Sequence, residues 1–131
     1  VKAEAPAKPT PKKAKKEDIA LILSSIYKWK DAWKVSNINE YLSFYSKEFK
    51  RSDRTDFNTF ANQKKQVFAK NENKIINLYN MDISPYPNSL GKKIYRAVMD
   101  EEYYSPSVKF VGKKELFIEV ANNKVQILAE D

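Results

Sequence analysis

The sequence predicts an α+β domain in which three helices precede an antiparallel sheet of four strands. Between residues 19 and 68, apolar side chains recur in steps of three and four, as they do along one face of a helix. After Asn73 the period changes to an approximate alternation, with turn residues between the runs. Helical and strand patterns are thus segregated along the chain, which is typical of α+β folds.

Residues 1–17 are predicted to form a flexible linker, followed by one domain over residues 18–131. The first segment is rich in alanine, proline and lysine, and Pro6, Pro9 and Pro11 prevent a helix from propagating. Six lysines and three acids among the first 18 residues supply +3 of the net charge of +7, so the domain itself is only mildly basic. An alternative role for the linker is a basic arm that grips an anionic polymer.

The first helix is predicted from Ile19 to about Val35. Its apolar stripe consists of Ile19, Ile22, Ile26, Trp29 and Trp33. Asn37 followed by Glu40 resembles a capping box, so we expect a second, short helix that ends near Ser46. Its stripe consists of Ile38, Tyr41, Leu42 and Tyr45.

A third helix is predicted to begin after a cap at Thr55 or Asp56 and to end within residues 70–73. Its stripe consists of Phe57, Phe60, Ala61, Lys64, Val67 and Phe68. The four predicted strands cover residues 74–84, 92–104, 115–120 and 124–129. We expect the "ANN" of residues 121–123 to be a tight hairpin turn and residues 105–112 to be a connecting loop.

Several chemistries are excluded because the chain has no cysteine and no histidine. Disulfides, thiolate nucleophiles, Ser-His-Asp relays and the usual zinc sites all need one of these residues. No metal or other cofactor is therefore predicted, and any catalysis is left to carboxylates, lysine or tyrosine. No apolar run approaches the roughly 20 residues that span a membrane, and a start at Val1 without methionine suggests a piece of a longer protein.

Six blocks of the sequence combine aromatic and turn residues in a recognisable order. They are "AW" at 32–33, "YLSFYSKEF" at 41–49, "KQVF" at 65–68, "VMDEEYYS" at 98–105, "GKKELFI" at 112–118 and "VQILAE" at 125–130. Together these blocks resemble the nuclear transport factor two-like superfamily. The resemblance covers residues 18–131. More narrowly, the string is similar to the accessory domain that follows the catalytic domain in L,D-transpeptidase-type peptidoglycan carboxypeptidases, which set cell shape in helical bacteria.

This resemblance implies a cone-shaped fold, in which a curved antiparallel sheet wraps around three helices and leaves one end open. It also implies a place in the bacterial periplasm or cell envelope, with a catalytic domain on the same longer chain. The expected ligand is peptidoglycan, another envelope glycan or a small molecule. Homodimerisation through the outer sheet face is left open.

The expected pocket wall consists of aromatic side chains with one lysine at its rim. The predicted ligand-binding residues are Trp33, Tyr41, Tyr45, Lys93, Tyr95, Met99 and Tyr103. Core packing is the alternative for the rings, and buried tyrosine hydroxyls then need protein partners. Two basic "GKK" runs, at 91–93 and 112–114, are interpreted as loops that contact an acidic glycan or the carboxylates of peptidoglycan stems.

The predicted function is therefore a non-catalytic domain that binds a ligand or partner. The alternative is a small-molecule enzyme of the isomerase or dehydratase type that uses Asp100 or Glu101 in an apolar pocket. A nucleic-acid partner is not expected, because acidic residues interrupt the lysines along the chain.

Overall fold

The computed structural model describes residues 16–131. The predicted linker thus lies outside the described residues except for Lys16 and Glu17, which form the start of the first helix rather than linker. The elements are α1 Lys16–Lys34, α2 Ile38–Ser43, β1 Tyr45–Arg51, α3 Phe57–Ala69, β2 Ile75–Pro85, β3 Ile94–Tyr104, β4 Lys109–Ala121 and β5 Lys124–Glu130. The predicted α+β class, with helices against a curved sheet, is confirmed.

The sheet has five strands in the order β1-β5-β4-β3-β2, one more than the sequence predicted. The additional strand β1 pairs parallel to β5, whereas all other neighbouring pairs are antiparallel. The prediction that α2 extends to Ser46 was wrong, because the helix ends at Ser43 and Tyr45 begins β1. Tyr45 and Phe49 are four residues apart, a spacing that places two side chains on one face of either a helix or a strand.

β4 also begins earlier than predicted, at Lys109 instead of Glu115. Its first residues pair with the end of β3, where Tyr104 lies opposite Lys109, so the second half of the expected loop is strand. The predicted hairpin turn between β4 and β5 is confirmed: Asn122 and Asn123 have φ of 54° and 58°. Asparagine tolerates this left-handed region, which a two-residue hairpin turn of type I′ requires.

The helices cover the concave face of the sheet, and the core lies between them. On β3 the buried positions alternate, so Tyr95, Ala97, Met99 and Glu101 face inward. The largest fully buried side chains include Trp29 of α1, Tyr41 of α2, Phe49 of β1 and Phe60 of α3, so every helix contributes a ring to this core.

One buried carboxylate attaches the beginning of α1 to the sheet. The hydroxyl of Tyr95 donates a hydrogen bond of 2.7 Å to Asp18 Oδ2, and the ammonium of Lys93 lies 3.3 Å from Asp18 Oδ1. Asp18 is buried in the first helical turn, where a negative charge also interacts favourably with the helix dipole. Lys93 and Tyr95, both predicted to bind ligand, therefore serve this attachment.

Tyr95→Phe is expected to lower the free energy of unfolding by about 1.5–3 kcal/mol, because it removes a buried hydrogen bond to a charged group and keeps the ring. Urea denaturation of both proteins measures the difference. Tyr27→Phe is the matched control, since Tyr27 lies on the same helix as Asp18 and is half exposed. Equal midpoints for the native protein and the Tyr95 variant would show that this contact does not hold α1.

Candidate functional site

A group of polar side chains lies inside the cone among the aromatic rings. It consists of Tyr41, Tyr45, Lys64, Glu101, Lys114 and Glu130, and is called the interior cluster below. Six different elements supply these residues, with the helices α2 and α3 on one side and strands of the sheet on the other. On β4 and β5, Lys114 lies opposite Met99 of β3 and Glu130 lies opposite Leu116, so both share the face of these two buried side chains.

Glu130 joins two halves of the interior cluster. Its Oε1 accepts a hydrogen bond of 2.9 Å from the hydroxyl of Tyr45, and its Oε2 accepts one of 2.9 Å from Lys114 Nζ. Lys114 Nζ also lies 3.8 Å from Glu101 Oε1. The indole N–H of Trp29 donates to the Tyr45 hydroxyl at 3.0 Å, and the hydroxyls of Tyr41 and Tyr45 are hydrogen-bonded at 3.0 Å. The hydroxyls thus have protein partners.

The charges of the cluster lie largely out of water. Side-chain exposure is 13% for Lys114, 10% for Glu130 and 6% for Glu101. Burial acts to raise the pKa of Glu130, but the charge and hydrogen bond of Lys114 hold that pKa below its ordinary value. Burial raises the pKa of Glu101, against the opposing charge of Lys114. Burial, together with the charge of Glu130, also raises the pKa of Tyr41 and Tyr45 well above the ordinary value, so both phenols stay neutral.

Lys64 is the second cation of the cluster, and its surroundings differ from those of Lys114. It projects from α3, is half-buried, and has a pKa that burial lowers. Its ammonium lies 5.5 Å from the centre of the Phe60 ring. Among residues 16–131, no carboxylate approaches it within the 4.0 Å of an ion pair. The arrangement therefore offers a cation beside a satisfied ion pair, which suits a ligand that carries a carboxylate.

Comparison with known proteins identifies the fold family. A family model described as the Cds6 C-terminal NTF2-like domain matches residues 21–131. This chain belongs to that family. The resemblance found in the sequence is thereby confirmed. No curated protein sequence matched the chain.

Solved structures agree with the assignment. The helical cell shape determining protein Pgp2 of Campylobacter jejuni, as a lysine-to-alanine variant, is 42% identical with a TM-score of 0.87, and the match covers 90% of this chain and 41% of that one. Bd1075 of Bdellovibrio bacteriovorus is 20% identical with a TM-score of 0.72, over 88% and 38%. An NTF2-like protein of Pseudomonas putida is 10% identical with a TM-score of 0.68, over 85% and 82%. These last two share the fold.

In this NTF2-like domain, most of the predicted site residues meet at one place. The ring of Trp33 lies 6.3 Å from that of Tyr41 and stacks on Tyr103 at 5.3 Å, and the rings of Tyr41 and Tyr45 are 5.3 Å apart. Met99 lies opposite Lys114 on the same inner face. Tyr103 is half-buried and the other four are buried, so their rings and the Met99 side chain form core. Their part in ligand binding stays a prediction.

Lys93 and Tyr95 are not brought to this place. They precede Tyr103 by ten and eight residues on or next to one extended strand, which separates Lys93 from Tyr103 by roughly 30 Å. Alternation along a strand gives the shared inner face, but it gives no information about which end of that face is open.

Asp100, the first alternative for an enzymatic carboxylate, lies on the outer sheet face. Its carboxylate is 2.7 Å from the exposed Lys113 ammonium and accepts a hydrogen bond of 2.8 Å from Asn80. Both hydrogen bonds lower its pKa. The prediction of Asp100 as a pocket carboxylate was therefore wrong, because consecutive strand residues face opposite sides and Glu101 is the one inside.

Besides Glu101, which was named only for the enzymatic alternative, three members of the interior cluster were absent from the predicted ligand-binding residues: Lys64, Lys114 and Glu130. Residues 112–114 were interpreted as a loop, but they lie within β4, with Lys113 outward and Lys114 inward. A signal for Lys64 was present, because it interrupts an apolar helical stripe at an inward position. Within residues 16–131, no group of three or more acidic side chains is placed to hold a metal ion.

Proposed function

We propose that this NTF2-like domain is a non-catalytic accessory domain of a bacterial cell-envelope protein and that it binds peptidoglycan through the interior cluster. The observation that carries the proposal is Lys64, a half-buried cation without a carboxylate partner among residues 16–131, beside the ion pair of Lys114 and Glu130. Peptidoglycan stems carry carboxylates, which are the groups that such a cation recognises.

Membership of the family supports the envelope role. Pgp2, which is 42% identical over this region, is a helical cell shape determining protein, and cell shape is a property of the envelope. The chain spans 41% of the length of that relative. We propose a periplasmic location and a catalytic domain on the same longer polypeptide, which the basic linker would join to this domain. Within residues 16–131, each helix is too short or too polar to span a bilayer.

The second candidate is an enzyme that uses Glu101 as an interior acid. It is favoured by one observation: burial raises the pKa of this carboxyl. However, Lys114 lies 3.8 Å away and stabilises the ionised form, and Glu101 is nearly inaccessible to a substrate. The experiment is a search for turnover of small carbonyl compounds. Turnover that is abolished in Glu101→Gln would support the enzyme, whereas peptidoglycan binding that is retained in Glu101→Gln would support the accessory domain.

Lys64→Gln is expected to reduce retention on purified peptidoglycan sacculi by roughly tenfold, the loss of one charge-assisted hydrogen bond. The measurement is a pull-down of the 131-residue chain at several salt concentrations, with soluble muropeptides as competitors. Lys65→Gln makes the same charge change on the next, exposed residue of α3 and should bind like the native protein. Equal losses in both variants would indicate nonspecific charge attraction, and no retention of the native chain would remove the proposal.

A further inference from the structure

A partly exposed aromatic ring lies beside the interior cluster and has no role in the core. Phe110 of β4 lies opposite Tyr103 and shares its face of the sheet, yet 45% of Phe110 is exposed. Its ring folds along its own strand over Gly112, because a Cβ built on that glycine would lie 2.9 Å from Phe110 Cζ. The far edge of the ring, Cζ with Cε1 and Cε2, thus lies over the glycine, and part of the ring remains open to solvent.

The Phe110 ring lies on the same inner face of β4 as Lys114 of the interior cluster. Gly112 lies opposite Glu101, and Lys114 is the next residue on the inner face of β4. Phe110, Gly112 and Lys114 therefore follow one another along a single inner row. From Phe110 to Lys114 this row spans about 13 Å, which a stem of three to four extended residues also covers.

Gly112 is not required by the backbone conformation, since Gly91 is the glycine with positive φ in the described chain. A glycine inside a strand weakens it, and it is often found where another group approaches closely. Here the approaching group is the Phe110 ring. The Phe110 ring therefore keeps one position above Gly112. A side chain at residue 112 would displace the ring from it.

We propose that Phe110 is a stacking platform for a sugar ring of peptidoglycan, while the stem peptide of that sugar reaches Lys64 in the interior cluster. The inference rests on the proposed function and adds the glycan to it. One face of a β-linked hexosamine is formed by C–H bonds, and its burial against an aromatic ring is favourable without any hydrogen bond. The interior cluster then recognises the peptide and Phe110 the sugar.

The test compares two probes, a disaccharide-tetrapeptide muropeptide and the same tetrapeptide without sugar, by calorimetric titration of the 131-residue chain. Phe110→Ala is expected to weaken binding of the muropeptide by roughly fivefold and to leave the affinity for the sugar-free peptide unchanged. Val111→Ala is the control, because Val111 is 56% exposed and points to the outer face of the same strand.

Gly112→Ala tests whether the position of the Phe110 ring matters, because this variant keeps the ring but moves it. The added methyl group contacts the far end of a side chain, so the ring moves while the strand keeps its conformation. We expect the same selective loss for the muropeptide as in Phe110→Ala, with no decrease in thermal stability. Equal weakening of both probes by Phe110→Ala, or native muropeptide affinity in Gly112→Ala, would overturn the inference.

Titrations of Lys64→Gln with the same two probes test the proposed function independently of the sugar platform. Lys64→Gln should weaken both probes, because each carries the stem peptide. If the native chain binds neither probe, both the proposed function and the sugar platform are overturned. If Lys64→Gln loses both probes while Phe110→Ala loses neither, the proposed function stands and the sugar platform falls.

Discussion

Lys114→Met is expected to lower the free energy of unfolding by about 3–5 kcal/mol, the usual cost of removing one partner of a buried ion pair. Methionine is unbranched and matches the lysine stem as far as Cε, so the loss is mainly electrostatic rather than steric. Without the ammonium, Glu130 and Glu101 remain as two carboxylates that are largely shielded from water and have lost their shared cation. Urea unfolding at pH 7 measures the change.

The pH dependence gives this prediction a second readout. In the native protein the pKa of Glu130 is lowered, so its contribution to stability is present above the ordinary pKa near 4.5 and is lost as pH falls through the lowered value. In Lys114→Met, we expect burial to outweigh the remaining Tyr45 hydrogen bond and Lys64 charge and to raise that pKa, so protonation of Glu130 relieves the penalty and stability rises as pH falls. In the native protein, the raised pKa of Glu101 already makes the contribution of this carboxyl to stability increase as pH falls. The stability difference between the two proteins should therefore shrink below pH 5.

Lys113→Met is the matched control for the same substitution on the opposite face of β4. The Lys113 side chain is 73% exposed and its ion pair with Asp100 lies in water, where such pairs contribute about 0–1 kcal/mol. The double variant Lys114→Met with Glu130→Gln should recover part of the loss, because one unpaired charge is removed. If Lys114→Met matched Lys113→Met in stability, the interior pair would be no more buried in solution than the surface pair.

The helical half of the fold could be predicted from the sequence because its signals are local. The stripes of α1 and α3 and the side-chain cap of Asn37 on α2 each involve residues within a few turns, and the structure has all three helices. β1 could not be predicted in the same way. Its pairing partner is β5, some 80 residues later in the chain, and the spacing of Tyr45 and Phe49 satisfies both helical and strand periods.

The interior cluster was harder to predict than the rings around it. Each aromatic residue can be recognised as a core candidate by itself. The charged residues are recognised only through their contacts: Lys114 binds Glu130, which is 16 residues away in the chain, and Tyr45 binds Glu130, which is 85 residues away. Charged residues are also usually exposed, so each would be assigned to the surface by itself. Only the register of β4 and β5 with their neighbours places these charges inside.

Tyr45→Phe is expected to lower the free energy of unfolding by roughly 3 kcal/mol, although it removes a single oxygen atom. That hydroxyl accepts from the Trp29 indole N–H, is hydrogen-bonded to the Tyr41 hydroxyl, and donates to the carboxylate of Glu130. In the variant the buried indole N–H loses its partner, and Glu130 keeps Lys114 alone. Chemical denaturation and the near-ultraviolet circular dichroism of the tryptophans measure the effect.

Tyr41→Phe is the matched comparison, because the Tyr41 ring is equally buried and its hydroxyl bonds to Tyr45. Losing that one neutral hydrogen bond should cost about 1 kcal/mol. A loss about three times larger at Tyr45 than at Tyr41 would show that the hydroxyls form one network centred on Tyr45. Equal losses would show that the Tyr45 hydroxyl contributes no more than the Tyr41 hydroxyl and that no network is centred on it. Because protein groups already satisfy these hydroxyls, the two tyrosines need no ligand to be buried, and the site for a ligand is set by the charges beside them.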